Sequence, residues 1–204
     1  MTRPRRPAEP ESAASAPRII GGDLRGRRLE FAPHARTRPM KDRVRETLFD
    51  LLGPAVRGAL AIDLFAGSGA LGFEAVSRGA SRAVLVERHF PTAEALRRTA
   101  RALGVADRVD VRAGDAFAWA KRPPDVPADR PWLVFVSPPW ALFRERGPDL
   151  VCLVDALLRG APAGTAVVVE SDASLDPAAL PDPGCWRSRA IPPAVLHVRE
   201  PLVS

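Results

Sequence analysis

The stretch Ala59-Leu60-Ala61-Ile62-Asp63-Leu64-Phe65-Ala66-Gly67-Ser68-Gly69-Ala70-Leu71-Gly72 decides the fold. Its first six residues are apolar except Asp63, so residues 59–64 read as a buried strand. The glycines of Gly67-x-Gly69-x-x-Gly72 then allow a tight turn, and residues 70–78 read as a helix stopped by Gly79. Strand, glycine turn and helix in that order form a nucleotide-binding fingerprint. NAD, FAD and S-adenosylmethionine (SAM) all fit the glycines alone, as does a tight turn without a ligand.

Downstream the alternation continues. Residues 83–87, 109–113, 132–136 and 164–170 read as strands, with helices over 92–103, stopped by Gly104, and over 149–158. Residues 186–191 and 194–199, around Pro192-Pro193, read as a closing antiparallel pair, and the proline-rich stretch 121–131 as a surface loop. The pattern predicts an α/β fold: a doubly wound, Rossmann-like parallel sheet with right-handed crossovers.

Upstream, residues 1–17 are rich in Arg, Pro, Ala and Glu and lack the apolar segment of a signal peptide, which reads as a disordered leader. Arg18-Ile19-Ile20-Gly21-Gly22 and Arg25-Gly26-Arg27-Arg28-Leu29-Glu30-Phe31 read as the two strands of a basic hairpin, with Leu29 and Phe31 on one face. Arg38-Pro39-Met40-Lys41-Asp42-Arg43 leads into an amphipathic helix carrying Val44, Leu48, Leu51 and Leu52, ended by Gly53-Pro54. Residues 1–57 hold 13 Lys/Arg against 7 Asp/Glu, whereas 58–204 hold 17 of each, so the net charge of +6 lies entirely ahead of the glycine turn. A basic excess confined to one region is what a polyanion contact needs, although a solubilising arginine-rich tail has the same composition. The chain divides into the leader 1–17, a basic hairpin-and-helix extension 18–57 and a main domain 58–204.

Composition excludes other classes. No run of about 18 apolar residues is present to span a membrane. Two cysteines and three isolated histidines give no zinc or disulfide framework, which fits a reducing cytoplasm.

Three acids choose among the cofactors. Asp63 ends the first strand, Glu87 the second, and Asp115 follows the third in Gly114-Asp115-Ala116-Phe117. A carboxylate aimed into the glycine turn would repel a pyrophosphate, which wants bare backbone N–H groups. It suits the ammonium of a methionine moiety. Glu87 stands where an acceptor holds ribose hydroxyls. Asp115 stands where one reaches an adenine amine, with Ala116 and the ring of Phe117 beside it, and Phe65 lies in the turn itself. The expected cofactor is SAM.

The fourth strand ends in Ser137-Pro138-Pro139-Trp140. In a doubly wound sheet it neighbours the first strand, so this loop faces the glycine turn. Paired prolines hold the backbone extended without N–H donors. The Ser137 hydroxyl and the Pro138 carbonyl then act together as acceptors. Gripping the hydrogens of an exocyclic base amine, they free its lone pair for attack on a methyl group. Trp140 offers a face on which an unpaired base could stack.

Arg18-Ile-Ile-Gly-Gly, Arg25-Gly-Arg-Arg-Leu, Arg38-Pro-Met-Lys-Asp-Arg-Val-Arg-Glu-Thr-Leu-Phe and Asp63-Leu-Phe-Ala-Gly-Ser-Gly-Ala-Leu-Gly resemble the RsmD family, from Arg18 through Trp140 and more loosely through Glu170. Those enzymes methylate the N2 amine of guanine in small-subunit ribosomal RNA. The resemblance implies that Arg18, Arg25, Arg27, Arg28, Arg38 and Arg43 hold RNA, and that Asp63, Gly67, Gly69, Glu87 and Asp115 bind SAM. It also implies a partner, ribosomal RNA or a small-subunit assembly intermediate; the protein is expected to act as a monomer. Two positions depart from the family pattern. Ser137 stands where the family carries Asp in Asp-Pro-Pro-Phe, and Thr99 where it often has Asn. Ser-Pro-Pro with an aromatic also resembles cytosine-N4 methyltransferases of DNA. Two alternatives therefore accompany the ribosomal reading: a DNA amine methyltransferase, and a non-catalytic SAM- and RNA-binding assembly protein.

Overall fold

A computed structural model describes residues 16–30, 40–120 and 126–199. The expected positions of Phe31, His34, Arg38, most of the leader and part of the 121–131 loop lie outside these residues. In chain order the elements are α1 (Asp42–Leu52), β1 (Leu60–Asp63), α2 (Ala70–Ser77), β2 (Arg82–Glu87), α3 (Phe90–Leu103), β3 (Val109–Ala113), α4 (Ala116–Ala120), β4 (Trp132–Val136), α5 (Ala141–Gly160), β5 (Ala166–Ser171), β6 (Trp186–Ile191) and β7 (Ala194–Arg199).

The strands form one seven-stranded sheet in the order β3-β2-β1-β4-β5-β7-β6. The first five strands run parallel, and β7 joins β5 antiparallel with β6 outside it. Side chains alternate across the strands. Ala61, Leu85, Leu133, Phe135 and Val168 enter one core layer with residues of α1, α2 and α3. Leu60, Ile62, Val84, Val86, Val134, Val136, Val167 and Val169 enter the other with Phe117 of α4 and Leu150, Leu153, Val154 and Leu157 of α5. Burial on both faces explains why these strands read as unbroken apolar runs. The order reverses between β1 and β4, so the loops after them share one crevice.

Glycine fits the turn into α2 for steric reasons. Gly69 has φ +73°, and a Cβ there would sit 2.6 Å from Leu96 Cδ2 and from Phe73 Cε2. A Cβ on Gly72 would lie 2.1 Å from Leu85 Cδ2, so its absence lets α2 press against β2.

The N-terminal hairpin is shorter than its sequence pattern. Arg18 and Arg28 form one antiparallel bridge. Around it, Leu29 N–H donates to Pro17 O at 2.8 Å and Ile19 N–H to Arg27 O at 2.9 Å, but no full ladder develops. Gly21 to Gly26 are spent in the turn, leaving too few residues for strands. Ile19 and Leu29 are buried in the same core layer as α1 and α2. In α1, Leu51, expected on the apolar face, is half exposed, and Phe49 is buried instead.

Candidate active site

The carboxyl ends of β1, β2, β4 and β5 present four acid-bearing or hydroxyl-bearing positions. Asp63 is 1% exposed, and the backbone N–H groups of Phe65 and Gly72 face its carboxylate. Burial, with added repulsion from Glu87 and Glu170, pushes its pKa up to about 7. Its Oδ1 has no hydrogen-bond partner. A buried acceptor left unsatisfied costs free energy unless a ligand donates to it.

Glu87 reaches back under the turn. Its Oε2 accepts from Gly67 N–H at 2.9 Å and its Oε1 from His89 N–H at 2.7 Å, fixing the carboxylate against the loop. Asp115 Oδ1 accepts from Phe117 N–H at 2.9 Å and Ala118 N–H at 3.0 Å, capping α4. The cap holds Phe117 edge-on to Phe65, with ring centroids 5.9 Å apart, and Ala116 is buried beside it. The Arg146 guanidinium lies 3.8 Å from the centre of the Phe117 ring. Sequence reading missed Arg146, because Gly147-Pro148 resembles a helix break. α5 instead passes through it with a non-helical Arg146 (φ −141°, ψ 32°).

The Ser137 loop lies beside this turn. Asp63 is in register with Phe135, and Leu64 N–H donates to Phe135 O at 3.1 Å, so the two loops leave the sheet side by side. Ser137 is partly exposed, Pro138 is buried and Pro139 is exposed. Trp140 precedes α5 and is partly buried against the core layer that also touches Met40. The Ser137 hydroxyl donates to Glu170 Oε2 at the end of β5. Glu170 was another residue missed. The polar end of an otherwise apolar strand, Ala166-Val167-Val168-Val169-Glu170, was the available signal.

The expected RNA-contact arginines divide by their partners. Arg25, Arg28 and Arg43 are exposed. Arg18 Nε donates to Asp42 Oδ2 at 3.4 Å, and Arg27 Nη2 to Ala102 O at 2.8 Å. Arg38 lies outside the described residues. Thr99 Oγ1 accepts from Glu30 N–H at 3.2 Å, so it anchors the hairpin's exit to α3. Among the described residues no cluster of metal-ligating side chains occurs, and no helix is long and apolar enough to cross a membrane.

Comparison with known proteins agrees with this architecture. The family described as Conserved hypothetical protein 95 matches residues 17–188. Ribosomal RNA small subunit methyltransferase D of Haemophilus influenzae is 35% identical over 137 residues, covering 66% of this chain and 70% of that protein. The solved structure of yhhF from Escherichia coli superposes with a TM-score of 0.73 at 31% identity, covering 93% of this chain and 99% of that one. An RNA methyltransferase from Salinibacter ruber, solved in complex with S-adenosyl-L-homocysteine, shares the fold at a TM-score of 0.55 and 20% identity, over 80% of this chain and 93% of that one. The sheet is therefore the α/β methyltransferase fold, and the chain belongs to the Conserved hypothetical protein 95 family, the RsmD family that its motifs resemble.

Proposed function

We propose that the protein is a SAM-dependent methyltransferase acting on an exocyclic base amine of ribosomal RNA, the N2 amine of a guanine in the small subunit. The observation that carries this reading is the adjacency of the Asp63 turn and the Ser137-Pro138-Pro139 loop at the switch point of the sheet. The residues fit the cofactor. Asp63, with its unpartnered oxygen, offers an acceptor to an ammonium, and Asp63 and Glu87 together make the crevice negative, which suits a cation and repels a pyrophosphate. Glu87 holds the ribose side, while Asp115, Ala116, Phe117 and Phe65 form the adenine wall.

Bound there, SAM supplies an electrophilic methyl group on its sulfonium. The chain positions the acceptor: Ser137 Oγ and the Pro138 carbonyl take the hydrogens of the amine, and Trp140 borders the base. Catalysis by this arrangement is mostly orientation and preorganised polarity. The ribosomal target follows from the family and from the name of the Haemophilus relative. Transfer of radiolabelled methyl groups from SAM to small subunits isolated from cells lacking the enzyme tests the reading. Label should enter RNA in proportion to subunits. SAM binding without label in RNA would contradict it.

Arg25 and Arg28 project from the hairpin without a described anchoring contact, so they are the arginines to test for RNA binding. Changing both to Ala should lower the slope of log affinity against log salt by roughly 1.4 to 1.8, the release expected for two phosphates. Equal slopes for the variant and the parent would remove the hairpin from the RNA contact.

A further inference from the structure

The Ser137–Glu170 contact carries a consequence for the proton that methyl transfer must remove. A hydroxyl has one hydrogen and two lone pairs. With that hydrogen donated to Glu170 Oε2, Ser137 Oγ offers only acceptor capacity to anything in the crevice. Glu170 sits one strand over: Val136 is in register with Val169, which places Glu170 beside Ser137. Glu170 is 8% exposed. Burial raises its carboxyl pKa above the ordinary glutamate value, and the Ser137 hydrogen bond partly offsets the rise. The titratable groups around it are Asp63 on β1 and the Arg144–Asp172 pair at the surface. His197, held between the hydroxyls of Ser171 and Ser188, is in register with Val169 and so lies on the other face of the sheet.

We propose that Glu170 is the positioning base of the acceptor loop, acting through Ser137. It supplies from β5 the carboxylate that the family carries on the loop itself. This inference rests on the methyl transfer proposed above. As the amine nitrogen bonds to the methyl carbon, the old carbon–sulfur bonding pair stays on sulfur. The surplus proton on nitrogen passes to Ser137 Oγ, while the hydroxyl proton of Ser137 passes to Glu170 Oε2. Ser137 ends neutral, as it began, and Glu170 ends protonated until product release lets water take the proton. A base whose affinity for protons is raised by burial suits that task.

Glu170→Gln separates this role from a structural one, because the amide keeps the shape and still accepts from Ser137. At saturating SAM, single-turnover transfer to small subunits should fall about 10- to 1000-fold, the scale of losing a positioned proton acceptor. SAM affinity and melting temperature should stay nearly unchanged, and the acid limb of the rate profile should disappear. Ser137→Asp in the Glu170→Gln background should restore most of the lost rate, by returning a carboxylate to the loop. In the ligand-free protein, NMR of carboxyl-labelled glutamate should show the Glu170 midpoint moving upward in Ser137→Ala, where the stabilising hydrogen bond is lost. Unchanged rate and pH profile in Glu170→Gln, failure of the Asp rescue, or an unmoved midpoint would overturn the proposal. An inactive parent protein would instead overturn the methyltransferase reading on which it rests.

Discussion

SAM should bind more tightly as the pH rises through about 7, and Asp63→Asn should weaken binding at pH 8 by about 10- to 100-fold, the range for a charge-assisted hydrogen bond. The cause is the burial that lifts the Asp63 pKa to about 7. Below that pH the carboxyl is protonated and offers an ammonium no charge, so affinity should weaken by up to about tenfold per pH unit. The Asn variant should show a flat profile over the same range. Calorimetric titration at several pH values decides this, and a parent protein with no pH dependence would sink it. The same group sets a stability trend of definite sign. Between an unfolded carboxyl pKa near 4 and the folded value near 7, the native state holds a proton that the unfolded chain has released. The ligand-free protein therefore loses stability as the pH rises through that window, and Asp63→Asn should be the more stable form at pH 8.

Glu74→Ala should destabilise the chain by about 3–5 kcal/mol, the cost of breaking a buried ionic network by removing one partner. Glu74 lies in α2, outside the site, and is fully buried. It accepts from Ile20 N–H and Gly21 N–H, both at 2.8 Å, and from Arg78 Nε at 2.8 Å. Arg45, also fully buried, places its Nε 3.6 Å away and donates from Nη2 to Arg18 O and Asp42 Oδ1. One carboxylate thus ties the hairpin and α1 to α2. Without it, two backbone donors and Arg78 Nε lose their acceptor, and the buried Arg45 guanidinium loses a counter-charge. Urea unfolding measures the loss, and a change below about 1 kcal/mol would mean that water or rearrangement replaces the network.

The sheet was largely legible because its central strands β1, β4 and β5 are buried on both faces. β3, β4, β6 and β7 begin and end at the bounds expected from the sequence, and Gly79 and Gly104 follow the ends of α2 and α3. The Asp63 turn and the Ser137 loop were legible too, since fold topology puts the ends of β1 and β4 together. What stayed hidden depends on packing rather than pattern. Leu51 and Phe49 are both apolar, and only the position of Phe135, 5.8 Å from Phe49 between ring centroids, selects the buried one. The start of α5 was masked by Pro148, which the chain tolerates because Arg146 leaves helical geometry just before it. α4 is one turn long, too short for periodicity to register. Glu74 and Glu170 each act across a distance of more than 30 positions in the chain, as do their partners Ile20 and Ser137, and no local pattern links such pairs.

The identity of the methylated atom tests the proposed reaction most directly. Small subunits from cells lacking this enzyme, incubated with SAM and the purified protein, would have their RNA digested to nucleosides and analysed by mass spectrometry. The expected result is one N2-methylguanosine per subunit, formed about 10- to 1000-fold more slowly by Glu170→Gln. Methylation of another base, or none while SAM remains bound, would contradict it.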